Sequence, residues 1–160
     1  MMETYYFDTS ALVKLYLSEP GSRWIDQIVN AQNRNGQPVH VITISKIGIV
    51  ETAAALALRR RTGFISLENQ HELYRSLLRD SQKLFEFMAL TDPSIYLAAD
   101  LTQRYSLRGY DAVHLASAIL LNQRILRAGS QPLIFVSADQ RLCQTAITES
   151  LIVENPSNHP

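Results

Sequence analysis

The sequence has 160 residues, 46% of them apolar and 19% charged, with 15 Lys and Arg balancing 15 Asp and Glu. That is about one domain's worth of chain, apolar enough for a core, and the composition excludes a disordered segment, a strongly basic nucleic-acid coat and an acidic tail. No apolar run approaches the roughly 18 residues of a membrane span, Met1 to Ser10 holds two acids and no base and so does not read as a signal peptide, and a lone Cys143 points to a reducing compartment. The expectation is a soluble, cytoplasmic protein that folds as a single domain over residues 1–160.

Along the chain, Thr4 to Phe7 is short, aromatic and β-favouring, and Asp8-Thr9-Ser10 then predicts a helix start, with helix to Ser18 and a stop at Pro20-Gly21. Ser22 is positioned to cap a short helix whose face carries Trp24, Ile25, Ile28 and Val29. Val39 to Ile44 is β-branched and predicts a second strand. Ser45 then opens a long helix to about Arg61, closed at Gly63. A further helix follows Ser66 and reaches about Lys83, and Leu84 to Leu90 is a third strand. Thr91-Asp92-Pro93 starts a helix to about Tyr105, with proline in its first turn. Asp111 opens a strongly apolar helix to about Leu126. Leu133 to Val136 is a strand apolar enough for burial on both faces. Ser137-Ala138-Asp139 opens a last helix to Glu149, and Leu151 to Val153 is a short final strand. Strands alternating with helices predict an α/β fold: a parallel sheet of four to five strands flanked by helices. Ligands of such sheets bind beyond the carboxyl ends of the strands.

That rule directs attention to the acids just after the strands. Asp8 follows the first strand, Asp139 the fourth, Asp111 opens a helix, and Glu51 lies in the helix after the second strand. Asp8, Asp111 and Asp139 each have a plain explanation as helix caps. Glu51 does not, because it falls within the apparent apolar stripe Ile47, Val50, Ala54, Ala55 and Leu58. A carboxylate buried there needs a cation, either an arginine from a neighbouring element or a metal. Four acids converging on one crevice would repel one another unless something positive sits between them. An all-oxygen set suits Mg²⁺ or Mn²⁺, and the four histidines show no zinc-type spacing. Such ions serve phosphate chemistry. Arg59-Arg60-Arg61 offsets a helix dipole or meets a phosphate backbone, and His114 reads as a packed or hydrogen-bonded histidine. Trp24 reads as core or as an interface residue, and His159 as a solvated tail residue.

The stretch Tyr6 to Lys14, followed by Glu19-Pro20-Gly21-Ser22, resembles the opening of a PIN-domain protein, closest to the VapC-type toxin ribonucleases of toxin–antitoxin pairs. Glu51 in its Ala-rich helix, Leu107 to Ala116 and Phe135 to Asp139 resemble the three later motifs, and the likeness runs from Tyr5 to Pro156. The resemblance implies a single Rossmann-like PIN domain and an endoribonuclease dependent on Mg²⁺, with Mn²⁺ as substitute. Asp8, Glu51, Asp111 and Asp139 would be its acidic quartet, holding metal and carrying catalysis. Thr9 or Ser10 would orient Asp8 or a water, and Arg108 and Tyr110 are candidate RNA contacts. The implied reaction is in-line attack of water on an RNA phosphodiester, leaving a 5′-phosphate and a 3′-hydroxyl. The implied partners are a cognate antitoxin and a second copy of the chain. The sequence departs from the pattern at Arg141 to Ala146, where the family often has an Ala-rich stretch, and Gly63 to Leu90 carries no motif. The alternative is a catalytically inactive PIN fold that binds RNA or a protein, and retention of all four acids argues against it. A receiver or dehalogenase-type phosphatase fits poorly: Ser10 stands where the second phosphatase Asp would be, and Leu133 to Gln140 holds no Lys. With the quartet set aside, 11 acids face 15 bases, 12 of them arginine, so a neutral total is compatible with a polyanion substrate.

Overall fold

The computed structural model describes residues 2–159. Its sheet contains β1 (Glu3–Phe7), β2 (His40–Ser45), β3 (Phe85–Met88), β4 (Ile134–Val136) and β5 (Ile152–Glu154). The strands lie in the order β3-β2-β1-β4-β5 and every pairing is parallel, with Phe7 opposite Ile44 on one side and Val136 on the other. The helices are α1 (Thr9–Leu12), α2 (Ser22–Val29), α3 (Ile47–Arg61), α4 (Leu67–Lys83), α5 (Asp92–Arg104), α6 (Gly109–Arg127) and α7 (Gln140–Thr148).

Alternation along β1 explains the layering, because successive side chains of a strand point to opposite faces. Tyr5 and Phe7 join Leu12, Ile25, Leu56 and Leu77, from α1 to α4, on one face. Tyr6 joins Phe135, Leu101, Leu115 and Leu142, from β4 and α5 to α7, on the other. The Tyr6 and Phe135 rings stack at 5.8 Å across neighbouring strands. The chain winds from β1 to β3 in one direction, then crosses to β4 on the other side of β1. The strand order therefore reverses between β1 and β4, and a crevice opens beyond their carboxyl ends.

The predicted elements are all present, with four local differences. The first helix stops at Leu12 and continues only as a 3₁₀ turn over Val13–Leu15, which buries Lys14. Lys14 and Glu19 pair at 3.3 Å across the bend. Ser45 does not cap α3; it ends β2, and Lys46 takes the cap position without a side-chain bond. Asp111 is not a cap either, since α6 begins two residues earlier with Arg108 at its N-cap. At α2 the cap is Gly21, with φ +88°, while the Ser22 hydroxyl donates to the Leu17 carbonyl. A Cβ at Gly21 would lie 2.3 Å from the Pro156 carbonyl oxygen, so both the dihedral and the close approach require glycine. That approach seats the C-terminal segment, where His159 stacks on Trp24 at 4.3 Å and bonds Glu154 at 2.9 Å, rather than lying free in solvent. Among the described residues no helix is long and apolar enough to cross a membrane.

Candidate active site

The crevice at the β1/β4 reversal is a pocket of about 610 Å³, and Asp8, Glu51, Asp111 and Asp139 all line it, with Thr9, Ser10, Arg108 and His114. Tyr110 is exposed at 57% and does not line it. An apolar wall of Val13, Leu17, Leu58 and Phe64 continues from the acids, together with Arg59. Arg59 is paired with Glu19 and lies over the Phe64 ring at 5.3 Å, so its role exceeds offsetting the α3 dipole.

Asp8 sits where β1 ends and α1 begins, 3% exposed. Its Oδ1 accepts from the Ser10 hydroxyl at 2.7 Å and from the Ala11 amide at 2.9 Å, which is the capping role expected of it. Its Oδ2 accepts from the Ser137 hydroxyl at 2.6 Å. Burial pushes the Asp8 carboxyl above its ordinary range, outweighing the opposing effects of His114 and of these three bonds. The Ser10 hydroxyl also accepts from the Ala138 amide at 2.8 Å, so the turns after β1 and β4 are tied together. Asp139 caps α7, with Oδ1 accepting from the Arg141 and Leu142 amides at 2.8 and 3.0 Å, and its Oδ2 takes no part in the cap. Asp111, in the first turn of α6, is half-buried. Burial raises its carboxyl, the charges of Asp139 and Asp8 raise it further, and Arg108 and His114 only partly oppose them.

Glu51 lies on α3, though not in the stripe the sequence suggests. Val50 and Leu58 are 67% and 53% exposed, and the buried positions are Gly48, Thr52 and Leu56. The side chains that meet Glu51 are a histidine and a threonine, not the arginine considered from the sequence. His114 Nε2 approaches Glu51 Oε2 at 2.7 Å, and the Thr9 hydroxyl donates to the same oxygen. Burial opposes ionisation of Glu51, but these two bonds and the charge influence of His114 outweigh it and hold the carboxyl below its usual range. Thr9 thus serves Glu51, and Ser10 serves Asp8.

Sequence reasoning missed Ser137, whose partner Asp8 is 129 residues away. Only the strand order, with β4 beside β1, reveals the pair. Cys143 Sγ donates to the Ser137 carbonyl at 3.2 Å, and burial pushes its thiol up to about 11, which makes it an unreactive structural group.

None of the ion pairs formed among the described residues uses Asp8, Asp111 or Asp139. Burial above all raises Asp8 and Asp111 above their ordinary range, and neither has an ion-pair partner to offset it. Among the described residues, however, no three Asp, Glu, His or Cys side chains are gathered closely enough to hold an ion by themselves. This spacing suits a hard ion that keeps several of its waters, as Mg²⁺ does, and is unlike a zinc site. The residues therefore fit a hydrated divalent ion.

A family model described as "PIN domain" matches residues 5–147. Ribonuclease VapC47 of Mycobacterium tuberculosis (strain CDC 1551 / Oshkosh) is 27% identical over 151 residues, covering 94% of this chain and 96% of that protein. Ribonuclease VapC45 of the same strain is 33% identical over 149 residues, 88% of each chain. Ribonuclease VapC49 of Mycobacterium tuberculosis (strain ATCC 25618 / H37Rv) matches to the same extent, 33% over 149 residues. The crystal structure of PAE2754 from Pyrobaculum aerophilum superposes with a TM-score of 0.60 at 18% identity, over 99% of this chain and 93% of that one, a likeness of fold.

Proposed function

The chain belongs to the PIN-domain family, alongside the VapC ribonucleases, and from that premise we propose that it is a Mg²⁺- or Mn²⁺-dependent endoribonuclease, the toxin of a toxin–antitoxin pair. The observation that carries this reading is the pocket lined by all four acids at the sheet's reversal point, three of them without an ion-pair partner among the described residues. The names of the relatives supply the substrate class, RNA.

In this reading Asp8, Asp111, Asp139 and Glu51 hold the ion and are the catalytic residues. A bound divalent ion neutralises the carboxylates, activates water and offsets charge developing on the phosphate. The chain's own groups prepare that state. Ser10, Ser137 and the Ala11 amide all donate to Asp8 and partly offset the burial that raises its carboxyl. The α7 amides fix one Asp139 oxygen and leave the other for the pocket. Arg108, at the pocket wall, is placed to grip a phosphate through its guanidinium fork. Tyr110, exposed just outside, is available to an RNA base. Hydrolysis leaves a 5′-phosphate and a 3′-hydroxyl. The apolar wall of Leu58 and Phe64, exposed at 53% and 72% beside the acids, supports a protein partner that covers the site, the cognate antitoxin. A homodimer, a cytoplasmic location and a single domain complete the proposal.

The test is cleavage of a mixed RNA pool by the purified protein with Mg²⁺, with Mn²⁺ and with EDTA, followed by sequencing of the cut ends. Cleavage in both metals, none in EDTA and none by a folded Asp8→Asn variant is the expected result. Undiminished cleavage in EDTA sinks the mechanism.

A further inference from the structure

His114 is 2% exposed on α6, and its bonds all go to side chains of the pocket and its floor. Nε2 lies 2.7 Å from Glu51 Oε2 and 3.1 Å from Thr9 Oγ1, and Nδ1 lies 3.3 Å from the Tyr6 hydroxyl. We propose that His114, steered by Tyr6, is a positioning residue that orients the Glu51 carboxylate toward the divalent ion. This rests on the metal-dependent reading above and assigns a role to groups outside the acidic quartet.

The argument follows the protons. Two acceptor atoms do not approach to 2.7 Å without a proton between them. The Thr9 hydroxyl already donates its one proton to Glu51 Oε2. The short contact to that same oxygen therefore comes from an N–H on His114 Nε2. Both bonds end on Oε2, and Oε1 takes no part in either, so one carboxylate oxygen is tethered while the other is left to the pocket. A glutamate has three side-chain torsions, and fixing them before the ion arrives removes an ordering cost from binding.

The ring is itself clamped. Tyr6 is fully buried on the central strand and meets the imidazole edge-on at 6.2 Å. The Ser45 and Ser117 hydroxyls are also buried and lack a bond of good geometry. Whichever of Tyr6 and Nδ1 donates, the contact fixes the plane of the ring. On the other side is Gly48 of α3, three residues before Glu51: a Cβ there would lie 3.7 Å from His114 Cε1 and 3.9 Å from Thr9 Oγ1. The imidazole thus packs at van der Waals distance against the helix that carries Glu51. A buried histidine needs a partner at each ring nitrogen, whatever its role. This one joins side chains of β1, α1 and α3 and ends on a carboxylate of the pocket.

Removing an outer-layer hydrogen bond of this kind costs about 10- to 100-fold in metal affinity. The test is Mn²⁺ binding to RNA-free protein, measured from the electron paramagnetic resonance of free Mn²⁺, with cleavage assayed in parallel. His114→Leu is expected to weaken binding by about 10-fold or more, whereas His114→Gln, which keeps an N–H at similar reach, stays within about 3-fold of wild type. Tyr6→Phe falls between them. Folded His114→Leu protein that binds Mn²⁺ as wild type does overturns the proposal, as does His114→Gln binding as weakly as His114→Leu. Normal Mn²⁺ binding by His114→Gln with cleavage as low as in Glu51→Gln would make His114 a catalytic residue instead, and also overturns it. If His114→Leu fails to fold, Tyr6→Phe and Thr9→Val decide: both weaken binding several-fold, or the proposal fails. Wild type that binds no Mn²⁺ sinks the metal-dependent reading together with this one, while unchanged variants beside a binding wild type sink this one alone.

Discussion

Glu51 and Asp111 are both half-buried acids on the wall of one pocket, yet their carboxyls shift in opposite directions. On the α3 side, His114 and Thr9 hold Glu51 ionised without any ion. On the β1/β4 side, Asp8 and Asp111 remain raised: burial at both, and the charges of Asp139 and Asp8 at Asp111, exceed what His114, the serines, the Ala11 amide and Arg108 return. One wall is electrostatically complete and the other is short of a cation. An ion would change the energetics most on the β1/β4 wall.

The largest effect is expected from the incomplete wall. Asp8→Asn should lower RNA cleavage by at least about 100-fold, the scale of losing a central charged group from a reacting site. The protein should stay folded, because Asn Oδ1 can still accept from the Ala11 amide; circular dichroism and a melting curve check this. Next, Mg²⁺ should raise the thermal stability of wild type. An ion present at ten times its dissociation constant adds about 1.4 kcal/mol. Asp8→Asn and Asp111→Asn should lose that increment, as read by scanning calorimetry with and without Mg²⁺.

Stability against pH should separate the walls by sign. A raised acid binds its proton more readily in the folded state, so its penalty is full above the raised pKa. That penalty disappears as pH falls toward the ordinary value of 3.8. In EDTA at neutral pH, Asp111→Asn should therefore be more stable than wild type by up to roughly 1 kcal/mol. The gap should close on acidification. Glu51 behaves the other way: its lowered carboxyl contributes stability above the ordinary 4.5, lost as pH falls through the folded value. Glu51→Gln should be less stable than wild type at neutral pH. Two variants shifting the same way would break the comparison. The smallest effect is expected from Ser137→Ala, which removes one of three bonds to Asp8 and should weaken Mg²⁺ binding by a few-fold.

The sequence carries the two walls unequally. Asp8 and Asp139 are legible because the first directly follows a strand and the second comes three residues after one, and the parallel order β3-β2-β1-β4-β5 then brings them to one crevice. Asp111 is legible as an acid at a helix start, although Arg108 rather than Asp111 is the cap. Glu51 is legible only as an anomaly, and the apolar stripe that exposes it is out of phase. α3 is rich in small alanines, and its buried positions include Gly48 and polar Thr52, so hydrophobicity does not mark the inward face. Its partner His114 is 63 residues away, and Ser137 lies 129 residues from Asp8. Such pairs leave no local periodicity and emerge only once the sheet order is known. The early end of the first helix is likewise tertiary: it buries Lys14 and closes the Lys14–Glu19 pair before α2.

The central claim is that the β1/β4 wall is a divalent-ion site completed by the ion. Isothermal calorimetry of Mg²⁺ added to RNA-free wild type and to folded Asp111→Asn tests it most directly. The account predicts saturable binding to wild type that is lost or greatly weakened in the variant. Absence of binding to wild type at millimolar Mg²⁺, or equal binding by both proteins, would contradict it.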